Sequence, residues 1–254
     1  MSNGSAPAWR LVDSGEVSPE YSAAADEAIL NARMRGAVPD TVHFYVRDRP
    51  TVSIGHNMPV EGSLYMEEVR RRGVAVIRRL SGGSAVYTDP GQLIFSLVLG
   101  GSLLPSDIER SYAVVCSAVI AGISAFGIAA EHKPVNDIMV NGSKISGSAQ
   151  LRRGGAVLHH GTLLVDPDLA AIDAVIRPTG GGKSPPAARK KLTCLRELLG
   201  VAPEMQSVKE SIARGIADSF GVILLPGKLS SGERAEIDRL IEEKYGSHNW
   251  NYGL

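Results

Sequence analysis

Cysteine is nearly absent from this chain, and neither sign of charge prevails. The two cysteines among 254 residues, Cys116 and Cys194, make no CxxC pair, no zinc-ligand spacing and no disulfide framework. That usage suits a reducing compartment, and a cytoplasmic protein is expected. Basic and acidic residues number 27 each, so the basic excess that usually marks a nucleic-acid binder is missing and no nucleic-acid partner is expected. There is no internal repeat and no low-complexity tract. The opening MSNGSAPAWR has no apolar core of the signal-peptide kind. The longest uncharged stretch, YAVVCSAVIAGISAFGIAA at 112–130, approaches the length of a membrane span. It is rich in Ala, Gly and Ser, and SDIE at 106–109 precedes it as a capping box headed by Ser106. A buried core helix is expected, with no membrane partner.

What is present reads as one ordinary globular unit. Hydrophobic residues make up 44% and charged residues 21%, and the length is ample for a core. SPEYSAAADEAILNARM has apolar residues at helical spacing as far as Gly36. TVHFYV and TVSIG are β-rich and separated by the turn RDRP, and a helix through LYMEEVRRRG leads to the strand VAVIRR. LIFSLVL and AVLHHGTLLVD read as strands, and PDLAAIDAVI as a helix. DIMVNGSKISGSAQ is a hairpin whose Asn141-Gly142 pair favours a type I′ turn. Two helices follow around 207–220 and 231–245, with GVILLPG between them. The pattern mixes hairpins with helices without β-α-β alternation. It predicts an α+β fold, helices packed on a largely antiparallel sheet, in a single domain over 1–254.

Four segments carry chemistry. GGGKS at 180–184 is not a Walker phosphate loop, because the required earlier Gly is Arg177 and Pro185-Pro186 stand where a helix should begin. The surrounding RPTGGGKSPPAARKK (177–191) is either a basic loop that closes over an anion or a plain lysine loop. RRLSGGSAV at 78–86 sets two arginines before consecutive glycines. Its backbone amides can cradle an anion, or it is a turn with solvated arginines. In the hairpin, Lys144 stands among small residues that leave room for a ligand, and Asp137 is on the facing strand. That pair is either a metal or orienting carboxylate with its lysine, or an ordinary cross-strand salt bridge. His160, before Gly161, is a candidate general base, with no triad suggested by the sequence.

Taken in order and at these separations, RRLSGGSAVYTD, NDIMVNGSKISGSAQ and HHGTLLVD resemble the lipoate–protein ligase family, which belongs with octanoyltransferases and biotin–protein ligases. The usual ligase pattern is RRxSGGGAVxHD, NDI, KxSGSA and HGTLL, and the likeness extends through KLTCLRELLG to the closing NWNYG. The resemblance implies a class II biotin/lipoate ligase-like catalytic domain. It also implies a two-step reaction in which lipoate and ATP give lipoyl-AMP, and a lysine of a lipoyl domain or glycine-cleavage H protein then takes the lipoyl group. Lys144 would be the catalytic lysine bridging carboxylate and phosphate. Arg79 with the turn Ser81, Gly82, Gly83 and Ser84, and Ala85 and Tyr87 after it, would hold anion and acyl chain. Asn136 and Asp137 would lie near phosphate, with Asp137 on Mg2+. Gly147, Ser148 and Ala149, with His160, Gly161 and Thr162, would line the acyl pocket, and Lys183 would sit in a loop over the adenylate.

The match has departures. Ser84 replaces the third glycine, Thr88 replaces the usual His, and DPGQL resembles the GPGQL of octanoyltransferases. Those transferases need a cysteine for a thioester. One type carries it in PCG, where this chain has Thr179; the other carries it upstream of the NDI-like motif, where residues 127–135 hold none. Cys116 and Cys194 match neither. The main expectation is therefore an ATP-dependent lipoate ligase. The alternatives are an octanoyl or lipoyl transferase using an acyl-carrier donor, or a non-catalytic lipoate-binding homologue. The chain ends where the family's catalytic domain ends, without the small C-terminal accessory domain. A separate accessory protein is thus expected to be needed for efficient activation.

Overall fold

The computed structural model describes residues 6–177 and 191–253. The chain opens with strand β1 (Ala8–Val17), helix α1 (Pro19–Met34) and strand β2 (Thr41–Arg47). α1 begins where the Ser18 side chain accepts from the Tyr21 amide and Pro19 takes the first turn. The chain turns away just after it at Gly36, with φ of 68°. Next come β3 (Thr51–Ile54), α2 (Met66–Arg71), β4 (Ala75–Arg78), β5 (Val86–Thr88), β6 (Gln92–Gly100) and α3 (Ile108–Ser124). Strands β7 (Glu131–Lys133), β8 (Asp137–Val140), β9 (Ser143–Arg153) and β10 (Ala156–Leu164) follow, then α4 (Leu169–Val175), α5 (Leu195–Leu199) and α6 (Met205–Phe220). Strand β11 (Ile223–Pro226), α7 (Ser231–Leu240) and α8 (His248–Tyr252) complete the described residues.

The larger sheet has eight strands in the order β11-β1-β2-β6-β10-β9-β8-β7, and the smaller has three in the order β4-β3-β5. The fold is α+β with antiparallel pairing from β2 through β7. Three pairings are parallel: β1 with β2, β1 with β11, and β3 with β4. Two β-α-β units therefore exist where the sequence shows no such alternation. The first was hidden because β1 does not look like a strand: it carries Asp13, Gly15 and Glu16, and its register slips between Asp13 and Glu16.

α3 is the core helix expected at 112–130, but its cap is Asp107, whose side chain accepts from the Arg110 amide, and not Ser106. It buries Ser111, Val115, Ala118, Val119, Gly122 and Ile123, a single helical face. Gly122 and Gly215 let α3 and α6 touch backbone to backbone, since a Cβ on Gly215 would strike the Gly122 amide. Among the described residues, no helix is long and apolar enough to cross a membrane. The hairpin is as expected: Asn141 and Gly142 have φ of 49° and 76°, the left-handed pair of a type I′ turn.

The closing NWNYG is tied back to the opening motif. Arg78 is fully buried; its guanidinium donates to the carbonyls of Trp250, Gly55, His56, Met58 and Asn251, and its amide donates to Asn251 Oδ1. Trp250 returns an indole N–H to the Arg78 carbonyl. Arg78 thus joins the two ends of the fold, and it is not one of solvated arginines.

Candidate functional site

A groove of about 220 Å3 runs across the larger sheet and beneath the smaller one. Its walls begin at Tyr45 and Arg47 on β2, pass Ile94 on β6 and Thr162 on β10, and reach Lys144 and Gly147 on β9. These strands are consecutive neighbours in the sheet, so three inter-strand steps give the groove a span of roughly 14 Å. Ala85, Val86 and Tyr87 of the smaller sheet roof it, and Ile172 and Ile176 close one side. Long, narrow and mainly apolar, it suits an unbranched chain with a polar head.

At the β9 end lies the residue expected to be catalytic. Lys144 follows the tight turn, and its amine sits 2.7 Å from Asp137 Oδ1, with the lysine side chain 26% exposed and the carboxylate almost wholly enclosed. Strand register alone would not pair them: Lys144 faces Met139, and Asp137 faces Gly147. A bulge between Ile138 and Met139 and the bareness of Gly147 let the lysine lie back over β9 to its partner. Gly161 keeps the neighbouring strand equally clear, since a Cβ there would strike the Phe95 ring. The Lys144 backbone is held from both sides, its amide donating to the Lys191 carbonyl and its carbonyl accepting from the Thr193 amide. Asn136 donates from its side-chain amide to the Ser148 carbonyl, and Ser148 and Ala149 line the groove beside it.

The bend after β4 is built differently from the simplest reading of its sequence. Arg79 lines the groove, yet its Nε donates to Ser81 Oγ, Nη1 to the Ser53 carbonyl, and Nη2 to the carbonyls of Gly82 and Ser84. Burial lowers its pKa to about 10, still leaving it a cation at neutral pH. The arginine therefore draws the loop's carbonyls toward itself. Gly83, with φ of 98°, can make the turn that this requires, and it packs its carbonyl against Gly55. Gly82, Gly83 and Ser84 are exposed. Gly83, Ser84, Ala85 and Tyr87 line the groove, whereas Ser81 is buried behind it.

His160 lines the groove too, with Nε2 2.6 Å from Ser81 Oγ and Nδ1 3.2 Å from Asp26 Oδ2. Asp26, on α1, is a groove residue that the sequence reading missed. It lies in an alternating Ala-rich helix with nothing nearby in sequence to mark it, 134 positions from His160. Lys183 and Thr179 lie outside the described residues.

Neither cysteine is placed to react. Both are buried. Burial, with the Asp137 charge adding to it against a hydrogen bond with Ser148, pushes the Cys116 thiol up to about 12. Burial also raises the Cys194 thiol. A nucleophilic cysteine needs the opposite surroundings. Among the described residues, no three His, Cys, Asp or Glu side chains gather as a metal cage.

Residues 18–217 match the family model of the lipoyl protein ligase A/B catalytic domain. The chain is 32% identical to octanoyltransferase LipM of Symbiobacterium thermophilum, covering 96% of this chain and 97% of that one. It is 31% identical to octanoyltransferase LipM of Kyrpidia tusciae, covering 96% and 98%. Among solved structures it resembles a bipartite lipoate protein ligase from Thermoplasma acidophilum, with a TM-score of 0.87 at 25% identity over 98% of this chain and 97% of the other. It also resembles a lipoate-protein ligase A bound with ATP, with a TM-score of 0.83 at 26% identity over 98% and 100%.

Proposed function

Because the chain belongs to the lipoyl protein ligase A/B catalytic-domain family, we propose that it moves a medium-chain acyl group, octanoyl or lipoyl, from the thioester of an acyl-carrier donor to a lysine amine on a lipoyl domain or H-type acceptor protein. The observation that carries this is the groove itself: a mainly apolar groove in which, at the β9 end, one lysine ammonium is held by one buried carboxylate. The likeness to octanoyltransferases over nearly the whole length supports the choice of donor. This replaces ATP-dependent ligation as the first reading of the chemistry.

In this reaction the acyl tail lies along the groove and the thioester carbonyl rests beside Lys144. The acceptor amine attacks the carbonyl carbon; the C–N bond forms, the C–S bond breaks, and the proton lost by the amine goes to the departing carrier thiolate. Negative charge gathers on the carbonyl oxygen between these events, and the Lys144 ammonium is placed to meet it. Asp137 keeps that ammonium aimed. With both thiols enclosed and neutral, transfer is direct, with no acyl-cysteine intermediate.

The same thiols also favour a second reading, in which free acid is first activated by ATP and the exposed amides of Gly82–Ser84 receive phosphate. A separate accessory protein belongs to that reading. Asp137 alone does not fit a Mg2+ site, being one buried carboxylate already paired with an ammonium; the metal would arrive bound to ATP. Intact-mass measurement of an apo lipoyl domain decides between the two. Our reading expects an octanoyl increment from octanoyl-carrier without ATP. An increment from octanoate or lipoate only with ATP and Mg2+ establishes the second.

A further inference from the structure

We propose that Asp26 is a positioning residue: its carboxylate fixes the His160 ring with the proton on Nδ1, so that a bare Nε2 accepts a hydrogen bond from the Ser81 hydroxyl, and Ser81 with Arg79 then holds the Gly82–Ser84 bend open toward the reacting carbonyl. The argument starts from a convergence of donors. The buried Asp26 carboxylate faces His43 Nδ1 at 3.2 Å on Oδ1, and His160 Nδ1 at 3.2 Å, Ser96 Oγ at 2.9 Å and the Tyr45 hydroxyl at 3.4 Å on Oδ2. Burial alone would raise its pKa, but the hydrogen bonds from His160 and His43 outweigh it and hold the carboxyl below the usual range. An ionised carboxylate can only accept, so each histidine presents an N–H from Nδ1.

The rest follows along one chain of contacts. A neutral ring protonated on Nδ1 leaves Nε2 as an acceptor, and the nearest donor to it is Ser81 Oγ, at 2.6 Å. Because Ser81 donates there, its remaining lone pairs are free for Arg79 Nε at 3.1 Å. Arg79 Nη2 then holds the carbonyls of Gly82 and Ser84 at 2.7 and 2.8 Å. With the carbonyls turned inward to the guanidinium, the bend's amides are left for an anion. Ser81 is fully buried, which makes it a strut and not a nucleophile. The path joins α1, β10 and the bend after β4, three segments that also share one apolar core cluster.

Two measurements test this. In the 15N spectrum of the ligand-free protein, His160 is expected to show a protonated Nδ1 and a bare Nε2; a ring protonated on Nε2 overturns the proposal whatever the activity. In transfer assays, Asp26→Ala and Ser81→Ala should each lower kcat about 10–100-fold, as small misplacements at a reacting centre do, with little change in donor KM. The double variant should lose no more than the worse single, because both cut the same path; losses that multiply overturn it. Asp26→Asn is the conservative rescue. Its oxygen can face His160 while its amide faces His43, whose ring can turn its proton toward Ser14, 2.8 Å from Nε2. The rate arm rests on the acyl-transfer reading, the spectrum does not. A wild-type chain inactive with every donor sinks the first without touching the second.

Discussion

Gly147→Ala should slow the protein sharply without unfolding it. Gly147 faces Asp137 across the bulge, and the Lys144 side chain lies over its Cα. A methyl group there would sit 2.6 Å from Lys144 Cε, where ordinary contact begins at 3.4 Å. The ammonium nitrogen is nearer still, so the lysine must retreat by about 1 Å, a displacement of the size that costs ~100-fold at a reacting centre. The retreat is easy for the fold: the obstructed atoms are the end of a flexible side chain, Gly147 has no positive φ, and the β9 backbone need not move. We expect kcat to fall ~10–100-fold, while the melting temperature shifts by no more than a few degrees. The assay is acceptor octanoylation followed by intact mass, beside a thermal melt of the same preparation. Full activity in Gly147→Ala would show that the lysine's seat over β9 is not the working position.

Other consequences concern stability and pH. Arg78→Ala takes a donor from five buried or half-buried carbonyls, of which Gly55 keeps the Met58 amide. At about 1–3 kcal/mol for a buried polar group left unpaired, even partial rehydration should leave a loss above ~3 kcal/mol in urea unfolding; a loss under 1 kcal/mol contradicts its role as the tie between motif and C-terminus. His159 is fully buried, and burial, then the neighbouring His160, lowers its pKa to about 3. Its contribution is complete above the unfolded value near 6.5 and is lost as pH falls toward 3, because the unfolded chain binds the proton first. That one group contributes a slope of at most about 1.4 kcal/mol per pH unit in that window, and His159→Gln should flatten the stability profile there.

How much was legible in the sequence depended on whether a feature is local. The hairpin was legible because Asn141-Gly142 needs nothing beyond its own backbone preference. Lys144 was legible because small residues surround it in sequence as they do in space, although its reach to Asp137 depends on a bulge that no spacing announces. Two arginines before a glycine turn suggest an anion site. A guanidinium serves a phosphate or a ring of carbonyls equally well, and only the fold reveals that Arg78 and Arg79 each meet carbonyls. β1 escaped notice because its polar residues and register slip break the alternation of a strand. Asp26 escaped because its meaning comes from two histidines on other strands. The lack of a cysteine at the expected places points toward ATP as the source of activation. Both thiols are buried, and the relatives are named octanoyltransferases.

Direct acyl transfer beside Lys144, without a protein thioester, is tested most closely by a chain in which Cys116 and Cys194 are both replaced by alanine. Given octanoyl-carrier and apo lipoyl domain in the absence of ATP, it should add one octanoyl group to the acceptor at close to the wild-type rate, and the mass of the wild-type protein incubated with donor alone should stay unchanged. An octanoyl adduct on the wild-type chain, or an acceptor left unmodified by the folded cysteine-free chain, would contradict the account.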